Sequence, residues 1–321
     1  MEILRTIISF VVLLALNTIA AAAETYPSRP VTLIVPAAAG GGFDLFGRQL
    51  GKHLSDRWHQ PLIVDNRGGG AGNIAASIVL NAKPDGYTIF IWNDSLLINP
   101  SLFATAGYKP QTDFTAISLP LFVPNIIVAS KASGLNSMAD LITAAKSGKA
   151  FSYGSPGAGT PAHLGTELLQ QLAGIKLTHI PYRGAAPAVS DVIGGHIPLA
   201  VVAVPSAIEQ VRSGSLVPLA VTSAARVEAL PDVPTLRESG LPDYRIDTFF
   251  AILGPPGMPQ AIVRQLETDI DQAMQDSNFR KQLVDQGFQP ASGGSKLLKD
   301  VIERDFPVWE DLVRRTGTKP D

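Results

Sequence analysis

Residues 31–44, VTLIVPAAAGGGFD, contain the pattern that most clearly indicates the fold class of this chain. Its first five residues are mostly β-branched and apolar, which predicts a strand over Val31–Val35. A glycine-rich loop follows, and an amphipathic pattern near 44–57 predicts a helix directly after that loop. Strands that alternate with helices in this order are typical of α/β folds.

The loop at 36–44 has the composition of an anion-binding site. Gly40, Gly41 and Gly42 let the backbone approach a ligand closely, and the helix behind them offers unpaired N–H groups and a partial positive charge. The same glycines are also compatible with a plain tight turn. Asp44 is expected to be the N-cap of the helix rather than a ligand contact, because aspartate commonly caps helices.

A second loop, SYGSPGAGTPAH at 152–163, again follows a strand and opens a helix. Ser155 and Thr160 add hydroxyl donors to its exposed backbone N–H groups. Two such loops from two lobes predict a site that binds one or two carboxylates without any arginine.

The rest of the chain repeats the alternation of strands and helices. Further strands are predicted over 62–65, 87–92, 125–129, 177–181, 197–204 and 217–222, and helices over 138–147, 160–173, 185–193 and 206–212. From Pro259 onward the chain is predicted to be mostly helical, and proline clusters such as 120–124 predict loops or crossover points. This order predicts an α/β fold with largely parallel sheets.

The length predicts two lobes. Removing residues 1–23 from the 321 leaves 298, which corresponds to about two domains. If 126–248 folds as one lobe, 24–125 and 249–321 together form the other, and the chain crosses between the lobes twice. Two crossing segments form a hinge, and such a hinge can close around a ligand.

The first 23 residues read as a signal peptide. Arg5 precedes an apolar run at 7–16, and Ala21-Ala22-Ala23 precedes a cleavage point before Glu24. The apolar run is shorter than the roughly 20 residues that a membrane-spanning anchor needs. Cysteine is absent, so no lipid-bearing cysteine follows the signal. The mature protein is therefore expected to be free in the periplasm.

Composition excludes several classes of partner and chemistry. The chain is 45% hydrophobic and 17% charged with a net charge of -2, so no nucleic-acid or anionic-membrane partner is expected. Without cysteine there is no disulfide framework and no thiolate chemistry. The histidines lack metal-ligand spacing, so no metal and no cofactor are expected; they are His53, His59, His163, His179 and His196.

Parts of these loops are similar to the motifs of two enzyme classes. Gly157-x-Gly159-x-x-Ala162 matches a weak dinucleotide fingerprint, but the acidic residue expected about 20 positions later is missing. A hydrolase is disfavoured because Tyr153 holds the first glycine position of the elbow around Ser155, and no base is evident near that serine. The chain is therefore predicted not to be an enzyme.

Nine short motifs occur in one order along the chain. They lie at 36–44, 64–74, 84–88, 98–100, 153–163, 179–184, 219–223, 230–235 and 240–242. Through them the chain resembles the tripartite tricarboxylate transporter receptor family, also called the Bug family of periplasmic solute-binding proteins. The resemblance covers essentially all of 24–321.

This resemblance implies a type II periplasmic binding fold, with two α/β lobes and a ligand cleft. It also implies a carboxylate held by backbone amides, hydroxyls and water. Carried over by position, the implied ligand-binding residues are Ala37, Ala38, Gly40, Gly41, Gly42, Asn93 and Ser95 on one lobe, and Ser155, Gly157, Gly159, Thr160, Gly184, Ala185, Val202 and Ala203 on the other.

The chain departs from the family pattern in its loops. The family commonly has Phe-Pro at Ala37-Ala38, a small polar residue at Phe43, and Asp or Asn around Val202 and Ala203. These replacements predict a ligand less polar than citrate or an amino acid, such as an aromatic or medium-chain dicarboxylate. Trp92 and Phe249 are candidate aromatic walls, although an aromatic residue at a strand end is also typical of a core.

The resemblance further implies capture and delivery. The ligand binds in the cleft, closure buries it, and the closed receptor docks on the membrane permease subunits of a tripartite transporter. Independently of the resemblance, the receptor is expected by default to be a monomer. An alternative is a receptor that presents its ligand to a membrane signalling protein.

Overall fold

Two β-sheets organise this protein, whose computed structural model describes residues 26–244, 246–291 and 293–319. The predicted signal peptide lies outside the described residues. The strands are β1 (Val31–Val35), β2 (Leu62–Asn66), β3 (Thr88–Trp92), β4 (Thr115–Phe122), β5 (Asn125–Ala129), β6 (Ser152–Ser155), β7 (Thr178–Pro181), β8 (Leu199–Ala203), β9 (Val217–Val221), β10 (Phe249–Gly254) and β11 (Gln289–Pro290).

Helices surround both sheets, which confirms the predicted α/β class. They are α1 (Gly42–Trp58), α2 (Asn73–Leu80), α3 (Ser95–Leu102), α4 (Met138–Lys146), α5 (Pro161–Ala173), α6 (Ala185–Ile193), α7 (Ile208–Arg212), α8 (Gln260–Gln275), α9 (Ser277–Asp285) and α10 (Gly294–Thr316).

The chain passes from one sheet to the other and back. The first sheet has the order β11-β4-β10-β3-β1-β2, and the second has the order β7-β6-β8-β5-β9. β4 ends at Phe122 and β5 begins at Asn125, so the first crossing is two residues long. The chain returns between β9 and β10. We propose one lobe around each sheet, with the boundaries given above.

The prediction of largely parallel sheets is wrong. Among the strands of the described ranges, four pairings are parallel and five are antiparallel. The cause lies in the crossings, because β5 and β10 enter their sheets from the boundary at which the neighbouring strands end. They must therefore run opposite to those neighbours, as the pairings of Asn125 with Ala203 and of Ala251 with Trp92 show.

This topology brings many strand ends to one place. β1, β3, β4, β6 and β8 end at the boundary between the sheets, and β5 and β10 begin there. Apolar clusters pack on the faces of both sheets and hold these ends in place. Within the described part of the chain, no helix combines the length and the apolar character needed to cross a bilayer.

Candidate functional site

A cavity of about 350 Å³ lies where the strand ends of the two sheets meet. We call it the inner chamber, and its volume is in the range of small-molecule sites. The residues that line it are Pro36, Ala37, Gly41, Gly42, Phe43, Ala71, Trp92, Asn93, Ser95, Val123, Asn125, Pro156, Gly159, Thr160, Pro161, Ala162, Gly184, Ala185, Ala203, Pro205, Ser206, Thr248 and Phe250.

An adjoining space of about 1090 Å³ is lined mostly by exposed residues, and we call it the outer chamber. The two chambers share part of their walls, including Ala37, Ala71 and Gly184. The outer chamber adds Ala38, Ala39, Gly40, Leu45, Gly68, Gly69, Gly70, Arg183, Ala186 and Pro187.

Four helices begin at the inner chamber. Their first residues or N-caps line it, namely Gly42 of α1, Ser95 of α3, Thr160 before α5 and Ala185 of α6. The first N–H groups of a helix lack partners within the helix, and they carry the positive end of its dipole. None of the described residues that line the inner chamber is charged. The chamber is therefore a neutral-walled site with a positive backbone potential.

The first predicted loop is held by Asp44, although not as its N-cap. Gly41 is the N-cap of α1, and Asp44 lies in the first turn, where it accepts a hydrogen bond of 2.9 Å from the Gly40 backbone N–H. Arg48 pairs with the same carboxylate at 2.9 Å. Hydrogen bonding to Arg48 lowers the pKa of Asp44 below its usual value, so the anchor is ionised at neutral pH.

The second predicted loop is built around a buried serine. Ser155 Oγ lies 2.7 Å from His179 Nε2 and within hydrogen-bond distance of the Gly157 backbone, at 3.0 Å to its oxygen and 3.2 Å to its nitrogen. The prediction that no base lies near Ser155 is wrong. However, Ser155 is fully buried, and it lines neither chamber.

Thr160 closes the same loop. Its Oγ1 donates to the Gly157 carbonyl at 2.8 Å and accepts from the His163 backbone N–H at 3.4 Å. The side chain caps α5, which begins with Pro161. Because the hydroxyl has one hydrogen and the loop uses it, Thr160 contributes to the chamber chiefly by shaping it.

The structure brings most of the sequence-predicted residues to the two chambers. The inner chamber holds Ala37, Gly41, Gly42, Asn93, Ser95, Gly159, Thr160, Gly184, Ala185 and Ala203, and the outer chamber adds Ala38 and Gly40. Ser155, Gly157 and Val202 line neither chamber. Val202 is fully buried in the core of the second sheet, because alternate residues of β8 face opposite sides and Ala203 takes the chamber side.

The aromatic wall differs from the sequence prediction by one residue. Trp92 lines the inner chamber, whereas Phe249 is fully buried in the core and its neighbour Phe250 lines the chamber. Phe250 stacks on Phe43, with ring centroids 4.3 Å apart and planes 21° apart. Alternation along a strand sends adjacent residues to opposite faces, so the unpredicted β10 could not be oriented from its sequence.

Sequence reasoning also missed two polar residues on the crossings. Asn125 and Thr248 line the inner chamber, and Asn125 Nδ2 donates to Thr248 Oγ1 at 3.2 Å. The Asn125 backbone N–H donates to Thr222 Oγ1 at 3.0 Å. The only sequence feature that marks Asn125 is its polar side chain at the start of the apolar strand β5. Within the described ranges, no group of three or more His, Cys, Asp or Glu side chains is placed to hold a metal ion.

Comparisons with known proteins find relatives that cover most of this chain. The model of a family described as "Tripartite tricarboxylate transporter family receptor" matches residues 46–318. Protein BugT of Bordetella pertussis is 33% identical over 300 residues, which cover 92% of this chain and 92% of that protein.

Two solved structures are similar over most of the chain. Rpa4515 of R. palustris, solved with adipate, has a TM-score of 0.85 and 34% identity, covering 92% of this chain and all of that one (100%). MatC (Rpa3494) of Rhodopseudomonas palustris, with bound malate, has a TM-score of 0.81 and 26% identity, covering 90% and 100%. These likenesses confirm the predicted periplasmic-binding fold of two α/β lobes with a cleft.

Proposed function

This chain belongs to the tripartite tricarboxylate transporter receptor family, and from that premise we propose that it is a periplasmic receptor that captures a small organic carboxylate in its inner chamber. The predicted signal peptide directs it out of the cytoplasm. Closure of the lobes buries the ligand, and the closed receptor delivers it to the membrane permease subunits of a tripartite transporter. The receptor acts as a monomer and leaves its ligand chemically unchanged.

One observation carries the carboxylate assignment: four helix N-termini meet at a chamber whose described lining has no charged side chain. An anion gains from the dipoles of all four helices, and α1 and α6 also offer the backbone N–H groups of their first turns. The first N–H groups of α3 are instead bonded to Asn93 and Asp94. A cation would find no carboxylate to balance its charge there. This arrangement favours an acid over an amine or an amino acid.

The walls support an acid with an apolar body. Phe43, Phe250 and Trp92 give the inner chamber an aromatic side, and Val123, Pro161 and Ala162 extend its apolar surface. A citrate-like ligand would bring more charge than such walls can solvate. A medium-chain or aromatic dicarboxylate fits them better, and adipate, the molecule named with the R. palustris structure, is a medium-chain dicarboxylate.

Thermal unfolding of residues 24–321, the proposed secreted form, tests this function. A ligand that binds only the folded state at a hundred times its Kd stabilises that state by about 2.7 kcal/mol, which raises the Tm of a chain this long by roughly 5 °C. The panel contains adipate, suberate, phthalate, malate, citrate, hexanoate, benzoate, aspartate and glutamate. Calorimetric titration then measures the Kd of each compound that raises the Tm.

We expect adipate, suberate or phthalate to raise the Tm most. Stabilisation by the amino acids alone would contradict the assignment of an acid with an apolar body. If no carboxylate in the panel changes the Tm or gives heat on titration, the proposed function is wrong.

A further inference from the structure

The outer chamber carries one positive charge. Arg183 is the single charged residue among the described residues that line it, and its side chain is exposed. Other arginines near this mouth are already paired: Arg48 with Asp44, and Arg67 with Asp65. In the described ranges, the Arg183 guanidinium has neither an ion-pair partner nor a hydrogen-bond partner. It is therefore a cation available to a ligand.

The backbone on both sides of Arg183 is held in place. The Tyr182 backbone N–H donates to the Ser155 carbonyl at 3.0 Å, and the Tyr182 hydroxyl donates to Asp191 at 2.6 Å. The Gly184 N–H donates to the Pro156 carbonyl at 3.0 Å, with Gly184 at a φ of +113°. These bonds fix the backbone at the base of the Arg183 side chain, which lies at the wall of the outer chamber.

The inner chamber is suited to one carboxylate rather than two. Its positive potential comes from partial backbone charges, and its described lining includes no cationic side chain. A second full negative charge in the same enclosed, largely apolar space would lose its hydration and repel the first. A long dicarboxylate avoids this cost if its second carboxylate lies in the outer chamber, which is continuous with the inner one.

We propose that the Arg183 guanidinium binds the outer carboxylate of a dicarboxylate whose inner carboxylate lies among the helix N-termini. A guanidinium matches a carboxylate with two parallel hydrogen bonds. Arg183 thereby selects dicarboxylates over monocarboxylates of the same chain length. This inference rests on the proposed function, because it assumes an acid in the inner chamber.

Matched ligand pairs separate the outer carboxylate from the rest of the ligand. Calorimetric titrations compare succinate with butyrate, adipate with hexanoate, and suberate with octanoate. The proteins are the wild type, Arg183→Gln, Arg183→Lys and Arg280→Gln. Arg280 is exposed on α9 and lines neither chamber, so its substitution controls for the change in net charge. The Tm of each variant checks its fold.

The wild type should bind adipate or suberate more tightly than the matched monocarboxylate. Arg183→Gln should weaken binding of that dicarboxylate about tenfold, as expected for the loss of a charge-assisted hydrogen-bonded pair, and leave the monocarboxylate unchanged. Arg183→Lys should lose less affinity for the dicarboxylate, and Arg280→Gln should bind both ligands with the affinity of the wild type.

Two results would overturn the role of Arg183 while leaving the proposed function intact. In one, the wild type binds acids without preferring the dicarboxylates. In the other, Arg183→Gln has the same effect on the binding of both members of a pair. An equal loss of affinity indicates general attraction of anions, and no loss for either ligand indicates no role in binding. If the wild type binds no acid in either series, the proposed function fails, and this inference fails with it.

Discussion

The backbone N–H of Gly159 donates a hydrogen bond of 3.0 Å to Nδ1 of His163. Gly159 lines the inner chamber, and His163 is buried behind it on α5. The His163 ring also stacks on His179, with centroids 3.8 Å apart. The bond to Gly159 requires an unprotonated Nδ1, so the shape of the chamber wall depends on a neutral imidazole.

The stability of the protein should therefore depend on the charge of His163. Burial, and to a lesser extent His179, lower the pKa of His163 to about 4 in the folded state, whereas an unfolded histidine titrates near about 6.5. Between these values the unfolded chain binds the proton and the folded chain does not. The contribution of His163 to stability should fall as the pH drops from about 6.5 to about 4, by up to roughly 3 kcal/mol, and this contribution should change no further below that range.

Urea unfolding between pH 7 and pH 4 checks this dependence. In His163→Asn, the amide oxygen can still accept from Gly159, but the side chain does not titrate. Glu167 and His179 lie beside His163 and remain in both proteins, so the difference between the two pH profiles reports His163. Parallel profiles would contradict the prediction.

Thr160→Val should lower the free energy of unfolding by about 1 kcal/mol, because it removes the cap of α5 and the bond to the Gly157 carbonyl. The affinity for the acid found in the thermal screen should fall as the loop relaxes. Thr160→Ser keeps both hydrogen bonds and should resemble the wild type in urea unfolding and in calorimetric titration. Equal loss in the Ser and Val variants would show that the hydroxyl does not hold the loop.

Gly72→Ala should displace Trp92 from the chamber wall. A Cβ at residue 72 would lie 2.7 Å from Trp92 Nε1, whereas one at Gly240 would meet nothing within 4 Å. The two glycines have almost the same φ, +95° and +94°, so Gly240→Ala reproduces the backbone strain alone. Gly72→Ala should cost roughly 2 kcal/mol more than Gly240→Ala in urea unfolding, and it alone should shift the tryptophan emission. If both substitutions lower the free energy of unfolding equally, Trp92 can be displaced without a further loss of stability.

Phe43→Ser should change ligand preference more than stability. Phe43 is half-buried and stacks on Phe250 at the chamber wall, so its loss removes apolar contact with the ligand. The Kd of adipate should rise about tenfold, while that of the more polar malate should rise less. Phe43→Leu keeps most of the apolar surface and is the matched control. An equal fold-change in the Kd of both acids in calorimetric titration would count against an aromatic wall that contacts the apolar part of the ligand.

Local sequence patterns predict correctly the strands and helices whose ends are marked by clear loop residues. β1 and β5 have the predicted bounds, and so does α6, because each lies between clear loop residues. The sequence does not predict β4, because Pro120 lies inside it and a proline cluster at 120–124 indicates a loop. β10 was not predicted, and its neighbours in the first sheet, β3 and β4, are more than a hundred residues away in the chain.

In the site, too, some features follow from local sequence and others depend on residues that are distant in the chain. Glycine-rich loops before helices pointed to an anion site, because backbone freedom and helix N-termini are local properties. The contact between Ser155 and His179 joins residues 24 positions apart, and the hydrogen bond between Asn125 and Thr248 joins residues 123 positions apart. No local pattern indicates such pairs.

Short patterns of residue type and the order of the motifs are enough to predict the α/β class, the two loops at the chamber and the family resemblance. Which residues line the chambers depends instead on how distant segments pack together. Strand pairing and the two crossings set whether Phe249 or Phe250, and whether Val202 or Ala203, faces the ligand space. The physical reason is that adjacent residues of a strand face opposite sides, and the side that meets the chamber depends on distant segments.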